Sequence, residues 1–213
     1  MPAVITPVGQ CVIVQGVSWA TYMCLVADFV DSSGTRMAYD QGTLEFMAPS
    51  FNHEQVADLL ADVVKAVAEV RELDLVPAGS TTFKREDVER GFEPDASFYI
   101  QHAAAVHGHT AIDLDVDPPP DVIIEIDLSH PSLDKFPIYA ALGVPEVWRY
   151  AEQQVHIYRR SDDTYTEMTS STILPGVTYA HLTEFVQMRL ELSRLTWIRR
   201  IRAWAESLPE EPS

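Results

Sequence analysis

The sequence predicts a mixed α/β fold built around one core, and three stretches carry that prediction. Residues 122–126, Val-Ile-Ile-Glu-Ile, form a short apolar run bounded by prolines and a polar turn, the pattern of a strand covered on both faces. After Asn52, the side chains of Val56, Leu59, Leu60, Val63, Val64 and Val67 fall on one stripe at helical spacing. Residues 36–49 read as two short strands around Gly42, a hairpin signal. At 213 residues with no linker-like stretch, the chain suits a single domain over 1–213, with a core over about 36–160 and a helical region over about 181–208.

Composition narrows the function classes. A hydrophobic content of 46% excludes a disordered polymer. No apolar run approaches the ~20 residues of a membrane helix, so a soluble, cytoplasmic protein is expected. Cys11 and Cys24 are too few for a disulfide framework, and buried reduced thiols are the expectation. The formal net charge of −17 repels nucleic acid at long range. A DNA-binding reading therefore has to rest on local basic residues or bound metal.

Taken in order, Ser18 caps a helix to about Phe29, with Tyr22, Leu25, Val26 and Phe29 at helical spacing. The stretch DSSG at 31–34 ends it. Glu45, in the second hairpin strand, reads as an outward-facing acid on an edge. Asn52 is the expected cap of the long helix, with Glu54 in its first turn, where an acid complements the helix dipole. Thr81, Thr82 and Phe83 lead into the basic pair Lys84 and Arg85, and Pro94-Asp95 opens a strand over 96–100. Residues 129–144 read as a turn and a short helix ended by Gly143, with Pro137 near its start. Two strands joined by a turn at 151–154 follow, then a possible edge strand at 164–168. From about His181 to Leu208 one helical region shows a wide apolar face, which predicts a homodimer. The last residues, EEPS, are expected to fray.

The chemistry concentrates around residue 125. Alternation turns Val122, Ile124 and Ile126 one way and Ile123, Glu125 and Asp127 the other, so two carboxylates share a face. A buried carboxylate costs several kcal/mol unless a cation, a proton or hydrogen-bond donors meet it. Asp95 lies 30 positions earlier at the mouth of another strand, and Lys135 lies 10 positions later at the start of the short helix. A lysine there opposes the helix dipole unless acids compensate it. Glu54 is either a dipole partner or a third acid near a cation. His102, His107 and His109 with Asp113 lack zinc-like spacing, and Asp113, Asp115 and Asp117 lack the glycine and terminal glutamate of a calcium loop. Ser129 and His130 lack the surroundings of a hydrolase nucleophile.

An Asp after proline at one strand, an acid inside the next apolar strand and a nearby lysine together resemble the PD-(D/E)xK nuclease superfamily. More narrowly, residues 36–54, 79–100 and 118–150 resemble the bacterial putative restriction endonuclease domain. That resemblance implies a restriction-endonuclease-like core, a mixed β-sheet flanked by helices, here with a C-terminal helical extension. It implies a Mg²⁺-dependent (Mn²⁺ also fits) endonuclease acting on DNA. Asp95 and Glu125 become the metal-binding acids, Glu54 an accessory acid, and Lys135 the lysine that orients water or helps to deprotonate it. Asp127 stands where the literal motif has lysine. Lys84, Arg85, Arg90 and Arg149 are the candidates for nucleic-acid backbone contacts. The rival expectation is a non-catalytic nuclease-fold module that binds nucleic acid or a protein partner.

Overall fold

The alternation along 122–127 sorts as the sequence requires. In the computed structural model, which describes residues 11–29, 34–128 and 133–208, Val122, Ile124 and Ile126 enter one apolar cluster, and Ile123 enters a second on the opposite face. All four are buried, so the strand is covered on both sides.

Eleven strands and six helices are described: β1 (Cys11–Gln15), α1 (Trp19–Phe29), β2 (Arg36–Asp40), β3 (Thr43–Met47), α2 (Phe51–Val70), β4 (Val76–Pro77), β5 (Phe83–Arg85), β6 (Arg90–Phe92), β7 (Ala96–Tyr99), α3 (Ala103–Val106), β8 (Val122–Asp127), α4 (Phe136–Leu142), β9 (Glu146–Ala151), β10 (Gln154–Ser161), β11 (Thr164–Met168), α5 (Tyr179–Met188) and α6 (Arg194–Glu206). They form two sheets, not one. The first runs β1-β3-β2-β6-β5 and is antiparallel throughout. The second runs β11-β10-β9-β8-β7-β4 and is mixed, with β8 parallel to β9. The parallel step needs a crossover, which α4 provides.

Helix α2 lays the predicted stripe against Val122, Ile124 and Ile126 and against Trp148 of β9. Its cap is Ser50, whose hydroxyl accepts from the His53 N–H at 3.2 Å, not Asn52. Helix α4 covers the other face of β8 through Ile138, Tyr139 and Leu142, packed with Ile123, Phe92 and Val147. Gly143 ends it in the left-handed region at φ 84°, where a glycine costs no side-chain clash.

Three expectations are corrected. Glu45 is not on an edge: β1 pairs outside β3, with Ile13 opposite Glu45, and buries Glu45 to 1% exposure. The C-terminal region is two helices, because Ser193 caps a second start by accepting from the Thr196 N–H at 3.4 Å. Trp197, Ile201 and Ala205 of α6 pack into this chain's own core, whereas Leu190 and Leu195 of the same C-terminal region are exposed. Buried thiols were expected, but Cys11 is only partly buried and Cys24 is exposed. Ser129, His130, most of DSSG and the EEPS tail lie outside the described residues.

Candidate functional site

At the C-terminal end of β8, the starts of α2, α4 and β7 and the middle of β3 come together. The sequence brings Asp95 there by placing it one residue before β7, whose Ala96 pairs antiparallel with Ile124. The Asp95 backbone donates to the Ile124 carbonyl at 3.1 Å, and its Oδ2 accepts from the Ile126 N–H at 2.8 Å. This locks the carboxylate beside Glu125.

Lys135 sits just before α4 and makes no side-chain cap to it; Asp134 Oδ1 accepts from the Phe136 N–H at 3.2 Å instead. Its ammonium donates to Glu125 Oε2 at 3.2 Å and lies 3.5 Å from Glu45 Oε1. Glu125 Oε1 is buried and meets no donor at full hydrogen-bond geometry, although the Tyr139 hydroxyl lies close enough to the carboxyl to favour its charged form. An acceptor left like this is costly, and a water, an ion or a substrate group is needed to complete it.

Electrostatics follow the geometry. Burial pushes Asp95 up to about 6 against the pull of Lys135. Burial likewise pushes Glu125 up to about 7; Lys135 and the Tyr139 hydroxyl oppose the rise and Asp95 adds to it. Lys135 goes the other way: burial works against its charge, but Glu125, Glu45 and Asp95 outweigh burial and raise it. The lysine is therefore a fixed cation, while its single charge does not offset the burial of the two acids beside it.

Asp95, Glu125 and Lys135 thus converge. Glu54 does not join them: its side chain is half exposed and pairs with Arg36 at 3.5 Å. The α2 residue that faces the acids is His53, which is buried with Nε2 3.3 Å from Asp95 Oδ2 and neither ring nitrogen hydrogen-bonded. Burial lowers its pKa against the pull of Glu54 and Glu125, which favours the uncharged ring. Sequence reading missed His53 and Glu45. Asp127 turns to Arg149 at 2.5 Å. Of the other basic candidates, Arg85 is engaged by Asp87, and Arg90 by Asp40 at 2.7 Å. Lys84 lies on edge strand β5. The histidines at 102 and 109 serve separate pairs, with Asp121 and Asp117.

Among the described residues, no three His, Cys, Asp or Glu side chains gather closely enough to cage an ion by themselves. Mg²⁺ does not need such a cage, since it keeps several waters and takes one or two carboxylates plus substrate phosphate. Two hard carboxylates, one with an orphaned buried oxygen, fit that donor set.

Comparison with known proteins agrees with this architecture. A crystal structure described as a putative nuclease belonging to DUF820 from Anabaena variabilis is similar in fold, with a TM-score of 0.50, 15% sequence identity, and coverage of 70% of this chain and 90% of that one. No curated protein matches. The Uma2 family profile, described as "Putative restriction endonuclease", matches residues 19–194, which is most of the chain. A mixed α/β fold of this kind, with the acids and lysine brought to one strand end, belongs to a chain that is a member of that restriction endonuclease family.

Proposed function

We propose that the protein is a divalent-metal-dependent endonuclease that hydrolyses phosphodiester bonds in DNA. One observation carries the reading: Asp95 and Glu125 are buried together with one carboxylate oxygen unsatisfied and a charged lysine alongside. Asp95 and Glu125 would hold Mg²⁺ or Mn²⁺, and the neutral His53 imidazole offers a further lone pair beside Asp95. The bound ion would supply charge neutralisation at the phosphoryl oxygens and an activated water.

The chain's own groups do the rest. Lys135 stays protonated, so its work is to donate a hydrogen bond to the phosphate or the attacking water, not to remove a proton. Asp95 is held rigid by the Ile126 N–H, which fixes where an ion would sit. Metal in the pocket also answers the net charge of −17, because an acidic hollow holding a dication no longer repels phosphate. Lys84 remains the backbone-contact candidate with no intramolecular ion pair among the described residues; Arg85, Arg90 and Arg149 would have to exchange their present partners.

The second reading is a non-catalytic nuclease-fold module binding nucleic acid or a protein partner. It is favoured by Asp127, which stands in the motif lysine's place and is occupied by Arg149. A cytoplasmic homodimer belongs to either reading. Its best surface is edge strand β1, where Val12, Ile13 and Val14 are exposed and the first 27 residues of the chain hold no charged side chain. Sedimentation velocity decides it, with a monomer at tens of micromolar removing the dimer.

Nicking of supercoiled plasmid with Mg²⁺ or Mn²⁺, with and without chelator, tests the main reading on wild type, Asp95→Ala and Glu125→Ala. Chelator should abolish cleavage, and each variant should lose about 10³-fold. Cleavage untouched by both substitutions removes the assignment. Calorimetric metal binding without cleavage selects the inactive module.

A further inference from the structure

We infer that Glu45 is a positioning residue that holds Lys135 in the site, replacing the strand that would otherwise hold it. The inference rests on the nuclease reading for its purpose, though not for its geometry.

In the literal motif the lysine follows the acid two residues later on the same strand, and the strand's ladder fixes its backbone. Here that position is Asp127, and the lysine arrives from outside the sheet, 10 residues after Glu125 and just before α4. A lysine side chain is long and flexible, and this one sits at the positive end of a helix, where a cation is disfavoured. The first turn of α4 fixes the Lys135 carbonyl, which accepts from the Ile138 and Tyr139 N–H groups at 3.0 Å each, but the chain leading into the lysine and its charge have still to be held.

Glu45 does both with one carboxylate. Oε2 accepts from the Leu133 N–H at 2.7 Å, tying down the chain two residues before the lysine. Oε1 lies 3.5 Å from Lys135 Nζ. Glu45 itself is immobile: 1% exposed and in the middle of three hydrogen-bonded strands, β1-β3-β2. Lys135 is held between Glu45 on the first sheet and Glu125 on the second.

The two acids divide the work by what their oxygens have left. Both oxygens of Glu45 are engaged by the chain, whereas Glu125 keeps Oε1 open. Glu45 therefore belongs to the lysine and Glu125 to whatever enters the pocket.

The chain has three lysines, Lys65, Lys84 and Lys135, which makes a direct test possible. The intact metal-free protein is acylated with acetic anhydride, and the rate at each lysine is read by peptide mass spectrometry, with Lys65 and Lys84 as internal references. Glu45→Gln keeps an oxygen for the Leu133 N–H and removes the charge; Glu45→Ala removes both. Far-ultraviolet circular dichroism checks folding.

Lys135 should react at least tenfold faster, relative to Lys65, in Glu45→Gln, and faster again in Glu45→Ala. In the plasmid assay kcat should fall about 10²-fold with KM changed less than threefold. Unchanged Lys135 acylation in a folded Glu45→Gln overturns the clamp. Faster acylation with unchanged cleavage overturns the positioning role. If wild type cleaves nothing, the nuclease reading fails while the acylation rates still decide whether Glu45 holds the lysine.

Discussion

Two glutamates buried on neighbouring parallel strands have been given opposite treatment. Glu146, the first residue of β9, is 0% exposed and fully met: its Oε1 accepts from Trp148 Nε1 at 2.7 Å and Ser171 Oγ at 2.5 Å, and its Oε2 from the Thr172 N–H at 2.7 Å and Thr172 Oγ1 at 2.9 Å. Glu125, on β8, has one oxygen on Lys135 and the other without a donor at full hydrogen-bond geometry, the Tyr139 hydroxyl being its nearest neutral help. The first acid stitches the 171–174 segment to the sheet and is finished by neutral donors. The second is left incomplete, with another acid beside it. A buried carboxylate can be structure or site, and what separates them is whether the protein has supplied all the donors.

The comparison breaks first on stability, where the two acids should respond with opposite sign. Glu146→Ala leaves four donors without an acceptor and should cost about 4 kcal/mol. Even Glu146→Gln should cost about 2 kcal/mol, because one amide nitrogen must face either the Trp148 or the Thr172 N–H. Glu125→Gln should instead stabilise the metal-free protein at pH 8, by on the order of 2 kcal/mol, since it imitates the protonated form that burial favours. Urea unfolding of the variants in chelator measures all three. A loss of stability in Glu125→Gln would make Glu125 another structural acid and empty the comparison.

Much of this was legible before any coordinates. The alternation of 122–127 gave both faces of β8 and put Glu125 opposite the α2 stripe. Asp95 and Lys135 were legible only through the family resemblance, since spacing alone leaves a turn residue and a solvated lysine as equal readings. Glu45 was not, because the strand that makes β3 internal is β1, paired through Ile13 some 30 residues earlier with no local sign of it. His53 was legible and overlooked: it lies three residues before Val56 and seven before Leu60, extending the buried stripe by one turn, whereas Glu54 falls off it. The break between α5 and α6 is set by a single serine cap inside an otherwise continuous apolar pattern.

The next effect sharpens the comparison by pH. Asp95 and Glu125 bind protons more tightly folded than unfolded, so their favourable contribution is complete below about pH 4 and is lost as pH rises through about 6 and 7. Between pH 5 and 8 the stability gap between Glu125→Gln and wild type should therefore widen. Mg²⁺ or Mn²⁺ at pH 8 should close it, raising the wild-type melting temperature by roughly 4–8 °C at saturating ion and leaving Glu125→Gln unmoved. Thermal scans across that range are sufficient. A gap constant with pH would mean that the orphaned oxygen carries no charge penalty.

The smallest effect concerns the position where the motif departs from pattern. Asp127 shares a face with Glu125, yet its side chain is 29% exposed and its partner Arg149 37% exposed, so water screens the pair. Asp127→Asn should cost less than about 1 kcal/mol and change cleavage by no more than roughly threefold. Its value lies in what a larger effect would mean. If Lys135 has taken over the lysine's work from helix α4, the vacated strand position has no chemistry left and is free to pair with a surface arginine. A hundredfold fall in cleavage on Asp127→Asn, in a protein that still melts like wild type, would place Asp127 among the acids that handle the ion. The site would then run one residue pair further along β8 than Asp95 and Glu125 define.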